Sequence, residues 1–408
     1  MKAKYKLYDR QEVVAKEGLS ILNKHGMLYL ALEPRYGKSP ISLKILDRQD
    51  TNQEVLFITT KSAIDGIHQV IKDFNIHLLV DVINYESLHK LDIKAYDTIV
   101  IDEANVKISS FPKQSKAYKQ IRGKVLQGTQ IIWLSGTPQI ESSAKMFHQL
   151  SLSPRHSFYY YDSFYEWFNG SNHYKNNVKN LPGYGVQGIF KYTGGPRPSI
   201  DYSKTVNFNH KIDPIIIRRV NKDENMLPRV ILRYVEAPKN IKEYISSIKR
   251  YGIVETDYGT FIGDSGAGRL SKIHQLSGGT CIDDEDNRVE LSHFKAQSLY
   301  NYHKGTNTAI FYKYKAEYDL LSNYFDSNNL YQIDSMVTGI DMSHYDDMAI
   351  YSLTFSGSNY TQCLSRLANS NRKERPTVYI YISSDVDRDI YNTVSEKKDM
   401  NTKFLLKE

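Results

Sequence analysis

Met27–Leu32, MLYLAL, runs straight into Glu33-Pro34-Arg35-Tyr36-Gly37-Lys38-Ser39, and this junction decides the reading of the chain. Six apolar residues in a row suit a strand buried on both faces of a parallel sheet. The stretch 40–48 that follows has helical spacing, and Pro40 falls in the first helical turn, where its missing N–H costs nothing. Strand, loop, Gly-Lys-Ser and helix is the order a phosphate cradle needs. Backbone N–H groups at the helix start face the anion, Lys38 reaches the β and γ oxygens, and the Ser39 hydroxyl holds Mg²⁺. The first glycine of the usual cradle would stand five residues before Gly37, where this chain has Leu32, so Gly-Lys-Ser alone decides little.

Working outward, further apolar runs occur at 55–59 (VLFIT), 78–83 (LLVDVI), 98–101 (TIVI) and 130–134 (QIIWL), with helical spacing at 63–74 between the first two. Repeated strand–helix alternation predicts a doubly wound α/β domain. From 151 to about 235 the rhythm breaks into aromatic text (FYYYDSFYEWFNG) and Gly/Pro-rich text (LPGYGVQG, YTGGPRPSI), which is loop chemistry. Alternation resumes at 308–312, 330–333, 348–353 and 377–382, with a helix expected over 315–325, which predicts a second α/β lobe. The expected division is therefore 1–150, an insertion and inter-lobe region at 151–235, and 236–408.

Composition bounds the classes. A chain of 408 residues holds two or three domains, and 40% hydrophobic with 24% charged residues is ordinary globular usage. No apolar run approaches the roughly 18–20 residues that span a bilayer, and the basic N-terminus lacks the apolar core of a secretion signal. Two cysteines, Cys281 and Cys363, make no disulfide framework or CxxC metal site, so a reducing cytoplasm is expected. The charge, 53 basic minus 46 acidic residues or +7, suits a polyanionic partner without pointing to one. The 32 tyrosines supply stacking faces, but a coding bias explains them more simply.

The run 98–101 leads into Asp102-Glu103-Ala104-Asn105, so an acidic pair sits at the C-terminal end of a buried strand, where α/β folds bind ligands. Asp102 is placed to hold the metal and Glu103 to polarise a water for attack on a γ-phosphate. Either carboxylate alone would be an ordinary acidic helix start; in order after Gly-Lys-Ser they read as a nucleotide hydrolase. Leu134-Ser135-Gly136-Thr137-Pro138 ends the next strand at the same sheet edge, where Ser135 and Thr137 hydroxyls would sense the γ-phosphate.

In this order the motifs resemble the motor lobes of superfamily-two helicases and translocases, most of all the Swi/Snf-type remodelling branch in its compact phage versions. Those read roughly E-x-R-T-G-K-[ST], D-E-A-H and S-G-T-P, where this chain has EPRYGKS, DEAN and SGTP. Tyr8-Asp9-Arg10-Gln11 resembles the family's Q-type element, and 83–88 (INYESL) its DNA-tracking strand end. Ile217-Arg218-Arg219-Val220 with Leu227-Pro228-Arg229 resembles its L-R-R…L-P signature, and 269–278 (RLSKIHQLSG) its second-lobe entry. AIFYKYKAEYDLL, Thr338-Gly339-Ile340-Asp341-Met342 and Tyr360-Thr361-Gln362-Cys363-Leu364-Ser365-Arg366 resemble motifs four, five and six, so the likeness runs from about residue 7 to 382.

The resemblance implies an α/β fold of two RecA-like lobes that bind ATP and Mg²⁺ and act on DNA. It assigns Gln11, Arg35, Gly37, Lys38, Ser39, Gly339, Asp341 and Gln362 to the nucleotide. It gives Ser39 and Asp102 to the metal, Glu103 to the attacking water, and Ser135 and Thr137 to coupling. Lys61, Ser62, Tyr85 and Thr338 would meet DNA. The implied activity is a DNA-dependent ATPase translocating on duplex DNA in a host cytoplasm. A strand-separating helicase in replication or repair and an ATP-gated clamp or loader stay open, as does RNA. Three departures matter. Asn369 stands where the second arginine of motif six acts as finger, leaving Arg366 and Arg372 as candidates. Tyr36 replaces a small residue, with packing the expected role. Asn105 replaces a histidine, which puts the coupling to Ser135 and Thr137 in doubt.

Overall fold

A computed structural model describes residues 3–91, 96–108, 114–138, 146–161, 190–191, 199–200, 212–220, 228–335, 342–367 and 374–406. The chain divides into two compact units, Met1–Asn221 with Asp399–Glu408, and Lys222–Lys398.

The first unit begins with helix α1 (Asp9–His25), strand β1 (Met27–Leu32), helix α2 (Lys38–Gln49), strand β2 (Glu54–Thr59) and helix α3 (Ile64–Asp73). Strands β3 (Leu79–Asn84), β4 (Thr98–Asp102) and β5 (Gln130–Ser135) follow, with the short helix α4 (Ala104–Lys107) directly after β4. Strands β6 (Phe190–Lys191) and β7 (Ser199–Ile200) pair with each other, and β8 (Ile216–Arg219) rejoins the main sheet. The sheet order is β3-β2-β4-β5-β1-β8, every neighbour parallel.

The continuous apolar runs have a direct reason. Side chains alternate between sheet faces, and here both faces are cores. Tyr29, Ala31, Leu56, Ile58, Ile99, Ile101, Ile131 and Trp133 pack on one side. Leu28, Leu30, Leu32, Phe57, Val100, Ile132 and Leu134 pack on the other, against α1 and α2 residues such as Val14, Leu22, Ile41 and Ile45. Within the first core the Tyr29 and Trp133 rings stack at 6.1 Å, on paired positions of β1 and β5.

The second unit contains strand β9 (Arg229–Tyr234), the hairpins β10 (Ile253–Thr256) with β11 (Gly259–Ile262) and β12 (Thr280–Ile282) with β13 (Arg288–Glu290), and strands β14 (Thr308–Tyr312), β15 (Leu330–Gln332), β16 (Asp347–Ile350) and β17 (Thr377–Ile382). Its main sheet is parallel, ordered β15-β14-β16-β17-β9. It is again two-faced, with Phe311, Ile350, Val378 and Ile380 in one core and Ile310, Ala349, Tyr351 and Tyr381 in the other. The fold class is the one expected: α/β, two parallel sheets flanked by helices in a RecA-like architecture.

Sequence and structure place the boundary differently. β8 and β9 both lie inside the stretch 151–235 read as insertion, and each is an edge strand of a different sheet, so the division falls at 221/222. Cys281 and Cys363 are buried free thiols, and burial pushes both up to about 12. No helix among the described residues is long and apolar enough to cross a membrane.

Candidate active site

Parallel pairing brings three strand ends to one level. Asp102 of β4 is aligned with Leu134 of β5, and Leu134 with Leu30 of β1. Glu33–Ser39, Asp102–Asn105 and Ser135–Thr137 therefore leave the sheet along the same carboxyl edge, the ligand edge of open α/β sheets.

The loop after β1 is built around two left-handed residues, Arg35 at φ 68° and Gly37 at φ 94°. Gly37 caps α2 and has no room for a side chain, since a Cβ there would lie 2.3 Å from Gln11 Nε2. Gln11 is itself 6% exposed. Its Nε2 donates to the Tyr36 carbonyl at 2.8 Å, and its Oε1 accepts from the Tyr8 N–H at 2.9 Å. Gln11, given by the resemblance to the nucleotide, thus braces the loop from α1. Tyr36 is buried in the core with the Arg10 guanidinium 5.3 Å from its ring centroid, which is the packing role expected. Lys38 turns its Nζ to the Leu32 carbonyl at 3.3 Å.

Asp102 is held from three sides. Thr59 Oγ1, at the end of β2, donates to its Oδ2 at 2.9 Å, and the Glu103 N–H donates to its Oδ1 at 3.1 Å. The Tyr85 hydroxyl donates to its backbone carbonyl. Burial pushes the Asp102 carboxyl above its ordinary value, while Lys38, Thr59 and the Glu103 N–H pull the other way. A bound cation would favour the charged form further. Glu103 sits at φ 49°, a left-handed conformation that costs a non-glycine residue about 1–2 kcal/mol and sets it apart from both the strand before it and the helix after it.

Asn105, in α4, joins the acidic pair to the next strand. Its Nδ2 donates to Thr137 Oγ1 at 2.7 Å and its Oδ1 accepts from Ser135 Oγ at 2.8 Å. Ser135 Oγ in turn accepts from the Thr137 N–H at 3.0 Å. Asn105 is 9% exposed and both partners are fully buried. Where the resemblance expects a histidine, Asn105 makes both bonds, because an amide both donates and accepts.

The donor set fits a hard cation. Ser39 and Asp102 offer oxygen only, and among the described residues no three His, Cys, Asp or Glu side chains converge into a protein cage. Mg²⁺ is typically held by one or two protein oxygens, with water and phosphate completing the shell.

The remaining expected residues lie on other elements or outside the described residues. Lys61 and Ser62 lie exposed in a single 3-10 turn after β2. Tyr85, expected on the DNA face, is buried under Asp102. Gln362 is buried in the helix Gly357–Ser365, and Arg366 caps that helix's C-terminal end half-buried. Thr338, Gly339, Asp341 and Arg372 lie outside the described residues. Thr59 went unread: a strand-end threonine signals nothing until β2 is paired with β4.

No protein-family model and no curated protein matches the sequence. Among solved structures, the Sulfolobus solfataricus SWI2/SNF2 ATPase core in complex with dsDNA is similar at 12% identity and TM-score 0.42, over 98% of this chain and 92% of that one.

Proposed function

We propose that the chain is an ATP-dependent DNA translocase of the Swi/Snf-like helicase kind. The observation that carries the reading is the Asn105 bridge. It ties an acidic pair one strand away from a Gly-Lys-Ser loop to two buried hydroxyls on the strand between them. Such a bridge gives a phosphate-sensing element a route to the next strand end.

In this reading the N–H groups at the start of α2 and Lys38 hold the phosphates. Ser39 and Asp102 would hold Mg²⁺, which would supply charge neutralisation at the phosphates. Glu103 takes the proton from the attacking water. Gln11 and Gly37 keep the loop in shape, and Arg35, Gly339, Asp341 and Gln362 complete the nucleotide contacts. Arg366 and Arg372 are the candidates for the transition-state charge, a role that contributes about 10³–10⁵ in rate. Lys61, Ser62 and Thr338 are the candidate DNA contacts. They suit backbone rather than base recognition, which gives salt-sensitive, sequence-tolerant binding.

Steady-state ATP hydrolysis with no nucleic acid, single-stranded DNA, duplex DNA and RNA, beside Lys38→Ala, tests the reading. Stimulation by duplex DNA that vanishes in Lys38→Ala is expected. Stimulation by single strands alone would replace the translocase by a strand-separating helicase. ATP binding without turnover under any condition would replace it by an ATP-gated clamp or loader.

A further inference from the structure

Strand β9 is an edge strand of the second sheet, and beside it lies a cavity of about 510 Å³ that no motif of the ATPase reading touches. Its walls include Arg233 and Tyr234 of β9, Tyr381 of β17, and Gln297, Asn301 and Tyr302 of the helix Phe294–His303. The volume is that of an ordinary small-ligand site.

Two groups there are built but unused. Tyr381 is 3% exposed and its hydroxyl has no hydrogen-bond partner among the described residues. Buried hydroxyls are normally satisfied, so an orphan on a residue that lines a cavity calls for a partner. Arg233 is a half-buried cation whose buried Nε also has none, and it forms no ion pair with a described residue. Its guanidinium lies 4.0 Å from the Tyr302 ring centroid and 5.5 Å from that of Tyr379, which fixes the side chain at the cavity wall. Unpaired N–H and O–H donors around a cation ask for an anionic oxygen.

The rest of the wall has a second character. Tyr234 and Tyr302 are 68% and 45% exposed, large flat surfaces left to solvent at the cavity rim. Gln297 and Asn301 are one helical turn apart and joined by a 3.1 Å hydrogen bond, so their amides present donors and acceptors side by side. A cation with an orphan hydroxyl, exposed aromatic faces and paired amides match, in turn, the phosphate, the base face and the base edge of one nucleotide.

We propose that this cavity binds a nucleotide, its phosphate on Arg233 and Tyr381 and its base against Tyr234 or Tyr302. The site is separate in residues from the Lys38 loop and stands whether or not that loop hydrolyses ATP. The nucleotide is either free or a unit of a single strand, and the test separates these sources.

The 408-residue chain carrying Lys38→Ala is irradiated with 5-iodo-dUMP, with a dodecamer carrying one 5-iododeoxyuridine, or with the phosphate-free nucleoside, and the adduct is mapped by peptide mass. An adduct at Tyr234 or Tyr302 with the monophosphate supports the site and a free nucleotide. An adduct with the dodecamer alone supports the site and a strand. Arg233→Gln and Tyr381→Phe should each weaken the phosphate-bearing probe about tenfold, the loss of one charge-assisted hydrogen bond, and leave the nucleoside unchanged. Tyr381→Phe keeps the ring in place, so it guards against a mere folding effect. No adduct at either tyrosine, or an adduct indifferent to both substitutions, overturns the proposal.

Discussion

Replacing Asn105 by alanine removes both arms of the bridge between the acidic pair and β5. The two bonds are 2.7 and 2.8 Å long and reach fully buried hydroxyls. A net value of about 1 kcal/mol for each buried hydrogen bond puts the loss near 2 kcal/mol. For a folding unit of this size that is roughly 4–8 °C in thermal midpoint. Under the proposed function, the functional effect should exceed the thermal one. ATP affinity is expected within about twofold of the parent, because Lys38 and Asp102 are untouched, while stimulation of turnover by duplex DNA is lost. Asn105→Asp retains the acceptor for Ser135 but lacks the donor for Thr137, so it should fall between parent and alanine. A double-mutant cycle of Asn105→Ala with Ser135→Ala should show about 1 kcal/mol of coupling. Additive losses together with undiminished DNA stimulation would refute the bridge as the route of communication.

Other consequences are as direct. Tyr85→Phe should lower stability by about 1 kcal/mol through loss of the bond to the Asp102 carbonyl and leave duplex-DNA affinity in a binding titration unchanged. Gly37→Ala meets a positive φ and a 2.3 Å contact with Gln11. Adding Gln11→Ser should recover the contact part of its thermal destabilisation but not the backbone part, about 1–2 kcal/mol. Burial holds His274 down to about 4, against the pull of Asp387. Between an unfolded value near 6.5 and that point the unfolded chain takes up a proton the folded one refuses. The contribution of His274 to stability is therefore full above pH 6.5 and falls by about 3 kcal/mol as pH drops toward 4. Denaturant titrations of His274→Gln across this window should show a flatter slope.

The centres of both sheets were legible because their strands are buried on two faces and so read as unbroken apolar runs; β1, β14 and β17 begin and end where the sequence places them. The edges were not. Ile216–Arg219 and Arg229–Tyr234 mix aliphatic residues with arginines, because an edge strand meets solvent on one side, and both were absorbed into the apparent insertion. The same limit governs the site. Gly-Lys-Ser, Asp102-Glu103 and Ser135/Thr137 are contiguous, so local text announces them. Thr59, Tyr85 and the bracing role of Gln11 depend on pairings 43, 17 and 25 residues apart, which no short window contains. Asn105 was legible as a departure, but its bridge became visible only when β4 and β5 were neighbours.

The stacked pair of Tyr29 and Trp133 gives the first unit an optical property. The chain has two tryptophans, Trp133 and Trp167, so Trp167→Phe leaves a single indole, fully buried and two residues before Ser135 on the same strand. Indole emission follows the polarity and quenching of its surroundings. Any rearrangement of the Ser135–Thr137 strand end that reaches back along β5 then becomes a change in fluorescence, readable in real time without a label attached to the protein.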